Sequence, residues 1–176
     1  MAETGDVEVM GVFLQALANA CLNLHLLAGD EAVEACDVEP MRWYPASRFE
    51  ELFQRVVGRF PTPEPVRERI GIEMMRLWFD PGPGRGIITS AADFLRYQTG
   101  SEGYHSLARG PAEQKGAFTL IELDEARGLA VVRSTTPFDR AMERGVLLGG
   151  TRLTGDATFA RVDNDSDRST FRVEYH

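Results

Sequence analysis

The sequence predicts an α+β fold: an N-terminal helical half followed by a β-β-α-β-β four-stranded antiparallel sheet. Apolar residues recur at helical spacing through much of residues 10–110. From residue 116 to residue 176 the pattern changes to apolar–polar alternation around turn residues, interrupted by one short amphipathic stretch. At 176 residues the chain suits one domain with a sizeable core.

The elements follow in order. Met10 to Ala28 is apolar around most of its circumference, which predicts a helix buried on several sides. In "WYPASRFEELFQRVVGRF", Pro45 and Ser47 suit a helix start, and Phe49, Leu52, Phe53, Val56 and Val57 share one face. "PTPEPVRERIGIEMMRLWF" repeats the plan, with Val66, Ile70, Met74, Leu77 and Trp78 on a stripe. "DPGPGRG" breaks the chain, and with no Gly-Lys-Ser/Thr after it this is a connector and not a phosphate loop. Thr89 or Ser90 caps a short helix carrying Phe94, Leu95 and Tyr97. "AFTLIELDEARGLAVVRSTT" reads as two strands around Glu125-Ala126-Arg127-Gly128. "PFDRAMERGVLLGG" reads as a helix that Gly149-Gly150 terminates, and "ATFARVDN" and "STFRVEYH" as the last two strands.

Composition narrows the function. A net charge of −8, with 19 Lys+Arg interspersed among 27 acids, argues against nucleic acid as a partner. The longest apolar run is broken by Gln15, Asn19, Asn23 and His25, so membrane insertion is not expected. The acidic start is unlike a secretory signal, and Cys21 and Cys36 read as reduced thiols, so a cytoplasmic location is expected. Cys21 and His25 are assigned to an apolar helix, as core and not as metal ligands. Asp163, Asp165, Asp167 and Glu174 match the oxygen spacing of a calcium loop, but Arg168 stands where that loop needs glycine, so a polar hairpin turn is expected. No G-x-S-x-G, H-E-x-x-H or C-x-x-C occurs, and no catalytic constellation can be named.

The order of elements remains: a buried helix, "WYP…F..LF..VV", a second amphipathic helix, Phe94-Leu95 leading to His105, then strand-strand-helix-strand-strand. From Gly11 to Tyr175 this arrangement resembles the heme nitric oxide/oxygen binding (H-NOX) domains and the related 4-vinyl reductase domains. The resemblance implies His105 as a candidate axial ligand of heme iron. It also implies a Y-x-S-x-R motif for the heme propionates, and here Val132, Ser134 and Thr136 stand at the three positions. Ser134 is kept, the arginine is lost, and Arg133 or Arg140 is left as a substitute. The cysteines of the 4-vinyl reductase family have no counterparts, because both cysteines lie in the helical half.

The expectation is therefore a non-enzymatic sensory or regulatory domain with an apolar pocket between helices and sheet. Trp43, Tyr44, Trp78, Tyr97, Tyr104 and His105 are its candidate lining. The ligand is a small apolar molecule with no cofactor expected. The alternatives are a heme-based gas sensor centred on His105 and a scaffold whose sheet edge is covered by a partner protein or a homodimer. His105 itself is expected in a turn or short helix, and Trp43-Tyr44-Pro45 as a hydrophobic staple or a pocket wall. Arg109 is either an anion clamp or a solvated turn residue.

Overall fold

The computed structural model describes residues 7–176. Strand β1 (Glu8–Met10) runs directly into α1 (Gly11–Asn23). The helix stops short of the predicted Ala28 because His25 takes the left-handed conformation, φ 58°. Its N–H donates to the Leu22 carbonyl (3.0 Å) and the Leu26 N–H reaches back to Cys21 (2.8 Å). This closes the last turn as a Schellman motif with histidine in the place glycine usually takes. His25 is thus a helix cap, not a residue of the helix face, which corrects the sequence assignment. The periodicity analysis also missed α2 (Gly29–Cys36), a short helix with one buried residue, Ala32.

Trp43–Pro45 is strand β2, paired antiparallel to β1, and the helix that follows, α3, spans Ala46–Val57. All five residues of its predicted face are buried. Helix α4 (Glu64–Phe79) buries Ile70 and Met74 from its predicted stripe, with Val66, Leu77 and Trp78 half-buried. The one-turn α5 (Gly84–Ile87) follows, then α6 (Ala91–Thr99), capped by the Ser90 hydroxyl, which accepts from the Asp93 N–H at 3.1 Å. The stretch that includes His105 folds as one turn, α7 (Tyr104–Leu107), and passes into β3 (Ala108–Arg109), which completes a small β2-β1-β3 sheet. The one-turn α8 (Ala112–Lys115) leads into the second half.

That half is the predicted β-β-α-β-β unit: β4 (Phe118–Asp124), β5 (Leu129–Ser134), α9 (Arg140–Leu153), β6 (Ala160–Asn164) and β7 (Thr170–Tyr175). The strands form an antiparallel sheet in the order β4-β5-β7-β6. Gly128 makes the first turn with φ 62°, and a Cβ there would lie 1.8 Å from the Tyr175 carbonyl oxygen. The acidic β6–β7 loop is a hairpin turn: Asp167 accepts from the Ser169 N–H (3.0 Å) and Asp165 pairs with Arg172 (2.9 Å).

Helix α9 departs from expectation. Gly149 and Gly150 do not end it but lie buried inside it. A Cβ on Gly150 would stand 1.9 Å from the Phe94 ring, and one on Gly145 would stand 2.0 Å from the Glu68 carbonyl oxygen. Gly71 of α4 answers from the other side, 2.1 Å from the Met142 carbonyl oxygen. Gly71 and Gly145 let the backbones of α4 and α9 touch, while Gly150 makes room for the Phe94 ring of α6, so α4 and α9 form the spine that joins the helical half to the sheet. Their local signature is that of a stop; only the facing helix reveals a contact.

Candidate functional site

Where the halves meet, packing leaves a cavity of about 180 Å³. Helix α1 supplies Phe13 and Ala16, α4 supplies Met74, Met75 and Trp78, and α9 supplies Met142, Glu143 and Val146. The segment from Tyr97 to Leu107 closes one side, and Phe118 and Phe138 close the sheet side. Aromatic contacts hold these walls: Trp78 lies 5.1 Å from Tyr97, Phe138 meets Phe13 edge-on at 5.3 Å, and Tyr104 meets Phe138 edge-on at 6.1 Å. Three methionines among the rings give a wall that can adjust its shape.

The six predicted lining residues separate into two groups. Trp78, Tyr97 and Tyr104 border the cavity. Trp43, Tyr44 and His105 lie off it. Trp43 sits in β2 with the Arg109 guanidinium 4.4 Å over its ring, and Arg109 also pairs with Glu8 at 2.6 Å. Arg109 therefore ties β3 to β1 and β2. The Tyr44 hydroxyl accepts from the Glu39 N–H (2.9 Å), and its ring lies 5.0 Å from Arg48. In α7, successive side chains are turned about 100° apart. Tyr104 points inward and is 6% exposed, so His105 is turned aside, half-buried, with its ring against the edge of Tyr104. The Tyr104 hydroxyl donates to the Lys115 carbonyl at 2.5 Å, and burial pushes its phenol well above the ordinary value.

One polar cluster enters this apolar wall, on the predicted "VVRSTT" stretch. Ser134 and Thr136 are buried, and both hydroxyls donate to Glu143 Oε1, at 2.9 Å and 2.5 Å. Arg140 donates to Glu143 Oε2 at 2.7 Å and to the Thr136 carbonyl at 2.8 Å. Arg133 faces solvent, so Arg140 is the arginine that meets Ser134 (3.0 Å). Burial pushes the Glu143 carboxyl above the ordinary carboxylate range, against the opposing pull of Arg140 and the two hydroxyls. Sequence reading passed over Glu143. Its signal was its place four residues before Leu147 and seven before Gly150, both buried.

Cys21 is a buried free thiol, pushed up to about 12 by burial and by Cys36, and so is unreactive. Among the described residues no three His, Cys, Asp or Glu side chains gather to hold a metal ion, and no helix is long and apolar enough to cross a membrane.

No family model and no curated protein matches the chain. Solved structures do. An oxygen-binding H-NOX domain related to soluble guanylate cyclases, in its oxygen complex, superimposes with a TM-score of 0.64 over 94% of each chain at 13% identity. The Fe(II) unliganded H-NOX protein from K. algicida gives 0.62 at 8% identity, over 95% of this chain and 96% of that one. A structure described as modulating heme redox potential through protein-induced porphyrin distortion gives 0.65 at 13% identity, over 94% of this chain and 99% of that one. At such low identity the likeness lies in the path of the backbone, and it covers 94% of this chain: this chain has the H-NOX fold.

Proposed function

We propose that the chain is a non-enzymatic sensory domain that takes a small, neutral, apolar molecule into the cavity between its helices and its sheet. The cavity itself supports this reading. At about 180 Å³ it is slightly larger than the roughly 150 Å³ cavity that admits benzene, and below the roughly 300–1,000 Å³ of drug-sized sites. Apolar walls favour transfer of such a molecule from water by about 25 cal/mol for each Å² buried. At the wall the Ser106 hydroxyl donates to the Glu102 and Gly103 carbonyls, both at 2.8 Å, and the carboxylate that the Ser134 and Thr136 hydroxyls meet, Glu143, is held by Arg140 at 2.7 Å.

Two of the solved neighbours are described with heme or Fe(II), which brings a heme to this position for consideration. The residues here do not fit one. The cavity is far smaller than a macrocycle requires. His105 is turned away from it, and Tyr104, which points in, is committed to the Lys115 carbonyl. On the sheet side, Ser134 and Arg140 already hold an internal carboxylate, Glu143. Occupancy would be signalled by contact with a partner protein or a second copy of the chain, since the cavity wall includes Glu102, which is exposed.

Toluene is the test ligand. Saturating toluene is expected to raise the melting temperature and to be lost in a Met74→Trp variant that fills the cavity. A protein that ignores toluene but gains a Soret band on hemin titration, with the band shifting in His105→Ala, overturns the proposal in favour of a heme sensor.

A further inference from the structure

Glu143 brings a polar cluster to the cavity wall. Three groups converge on one carboxylate: two buried hydroxyls at 2.9 Å and 2.5 Å on Oε1, and Arg140 at 2.7 Å on Oε2. The same guanidinium nitrogen approaches the Phe138 carbonyl at 3.0 Å and the Thr136 hydroxyl at 3.2 Å, while the second nitrogen donates to the Thr136 carbonyl. Arg140 therefore has its acceptors supplied from within the chain. Its other side faces a surface depression lined with Arg67, Arg144 and Arg168. The Glu143 side chain is 8% exposed and that of Arg140 is 27% exposed, so the pair forms a partition: carboxylate inward, guanidinium outward.

We infer that Glu143 acts as a built-in counter-ion that occupies an anion subsite in the cavity wall and thereby restricts the cavity to uncharged ligands. A ligand carboxylate would have to lose its hydration beside a carboxylate already holding the available donors, with no cation left to offset the cost. Without the Glu143 side chain, Ser134, Thr136 and Arg140 would face an empty space of carboxylate size. Small-molecule acids would then fill the vacated place. The inference rests on the cavity reading proposed above for what the cavity takes, but the subsite can be tested without it.

The experiment compares wild type and Glu143→Ala at pH 8 by thermal shift with three probes: toluene, benzoate and formate, against sodium chloride at matched ionic strength. The expected result is a wild type that responds to toluene and not to benzoate. Glu143→Ala is expected to bind benzoate at least tenfold more tightly than wild type, and a further Arg140→Met change is expected to abolish that gain. If Glu143→Ala does not fold unaided, it is refolded with and without formate, and recovery by formate but not chloride is the expected outcome. Benzoate binding by wild type, or no response of Glu143→Ala to benzoate or formate, overturns the inference. Failure of toluene alone, with the benzoate gain intact, overturns the proposed ligand and leaves the subsite standing.

Discussion

Helices α4 and α9 each bury one glutamate beside an arginine three residues away, and the two acids behave oppositely. Glu73, 5% exposed, accepts from Arg76 at 2.7 Å and from Asn23 of α1 at 2.6 Å. Burial raises its carboxyl value, but the hydrogen bonds from Arg76 and Asn23 outweigh it and the net shift is downward. Glu143, 6% exposed, has more donors and yet its carboxyl is held up, because burial outweighs Arg140 and the hydroxyls. Arg76 reaches solvent, with 44% of its side chain exposed, and Asn23 is exposed beside it, so the Glu73 pair remains close to water. Glu143 looks into an apolar cavity. The lesson is that the spacing of charges along a helix does not set the cost of an ion pair; what the pair faces does.

The two helices that carry these glutamates touch backbone to backbone, so the largest effect should come from wedging that contact apart. Gly145→Val is expected to destabilise by about 3 kcal/mol or more, since the clash is with the backbone of Glu68, and chemical denaturation measures it. Removing the acids separates the two sites. Glu143→Ala should cost about 3 kcal/mol, the lower end for breaking a buried pair, because Arg140 is partly solvated. Glu73→Ala should cost about 1–2 kcal/mol, since Arg76 can hydrate while Asn23 loses its partner. Equal losses would show that cavity and surface make no difference.

The pH profiles should run in opposite directions. Glu143, with its value raised above 4.5, keeps its proton in the folded protein only between 4.5 and that raised value, where the unfolded chain has lost it, and is a carboxylate above it. Its contribution is complete below 4.5 and is lost as pH rises through the raised value. Glu73, with its value lowered from 4.5, contributes fully above that pH, and the contribution is lost as pH falls through the depressed value. Denaturation midpoints across pH for wild type minus Glu143→Gln, and for wild type minus Glu73→Gln, should therefore slope with opposite sign, each by at most about 1.4 kcal/mol per pH unit. The smallest effect belongs to the β1–β3 tie. Arg109→Ala is expected to cost about 1 kcal/mol or less, because its side chain is 52% exposed, and high salt should shrink the difference.

Much of the scaffold was legible from residues alone. Phe49, Leu52, Phe53, Val56 and Val57 repeat at helical spacing, and the alternation around Gly128 and Asp167 marks two hairpins, because backbone geometry imposes these periods locally. The order of those elements was enough to suggest the H-NOX arrangement that solved structures share. The short elements β1, β2, β3 and α2 escaped notice, since two or three strand residues carry no period and α2 presents one buried residue.

The site was less legible. Half of the predicted aromatics border the cavity; Trp43, Tyr44 and His105 found arginine, backbone or ring partners elsewhere. An aromatic residue is equally suited to a cation–π stack and a cavity wall, and only its neighbours choose between them. The sequence by itself determined which residues could form each helix and strand, and that the chain would be an acidic α+β domain. The tertiary structure alone decided that Gly149 and Gly150 make room for α4 and for the Phe94 ring instead of ending a helix, and that Glu143 turns into a cavity. Periodicity is written into consecutive residues, whereas a void and the groups facing it are made by segments far apart in the chain.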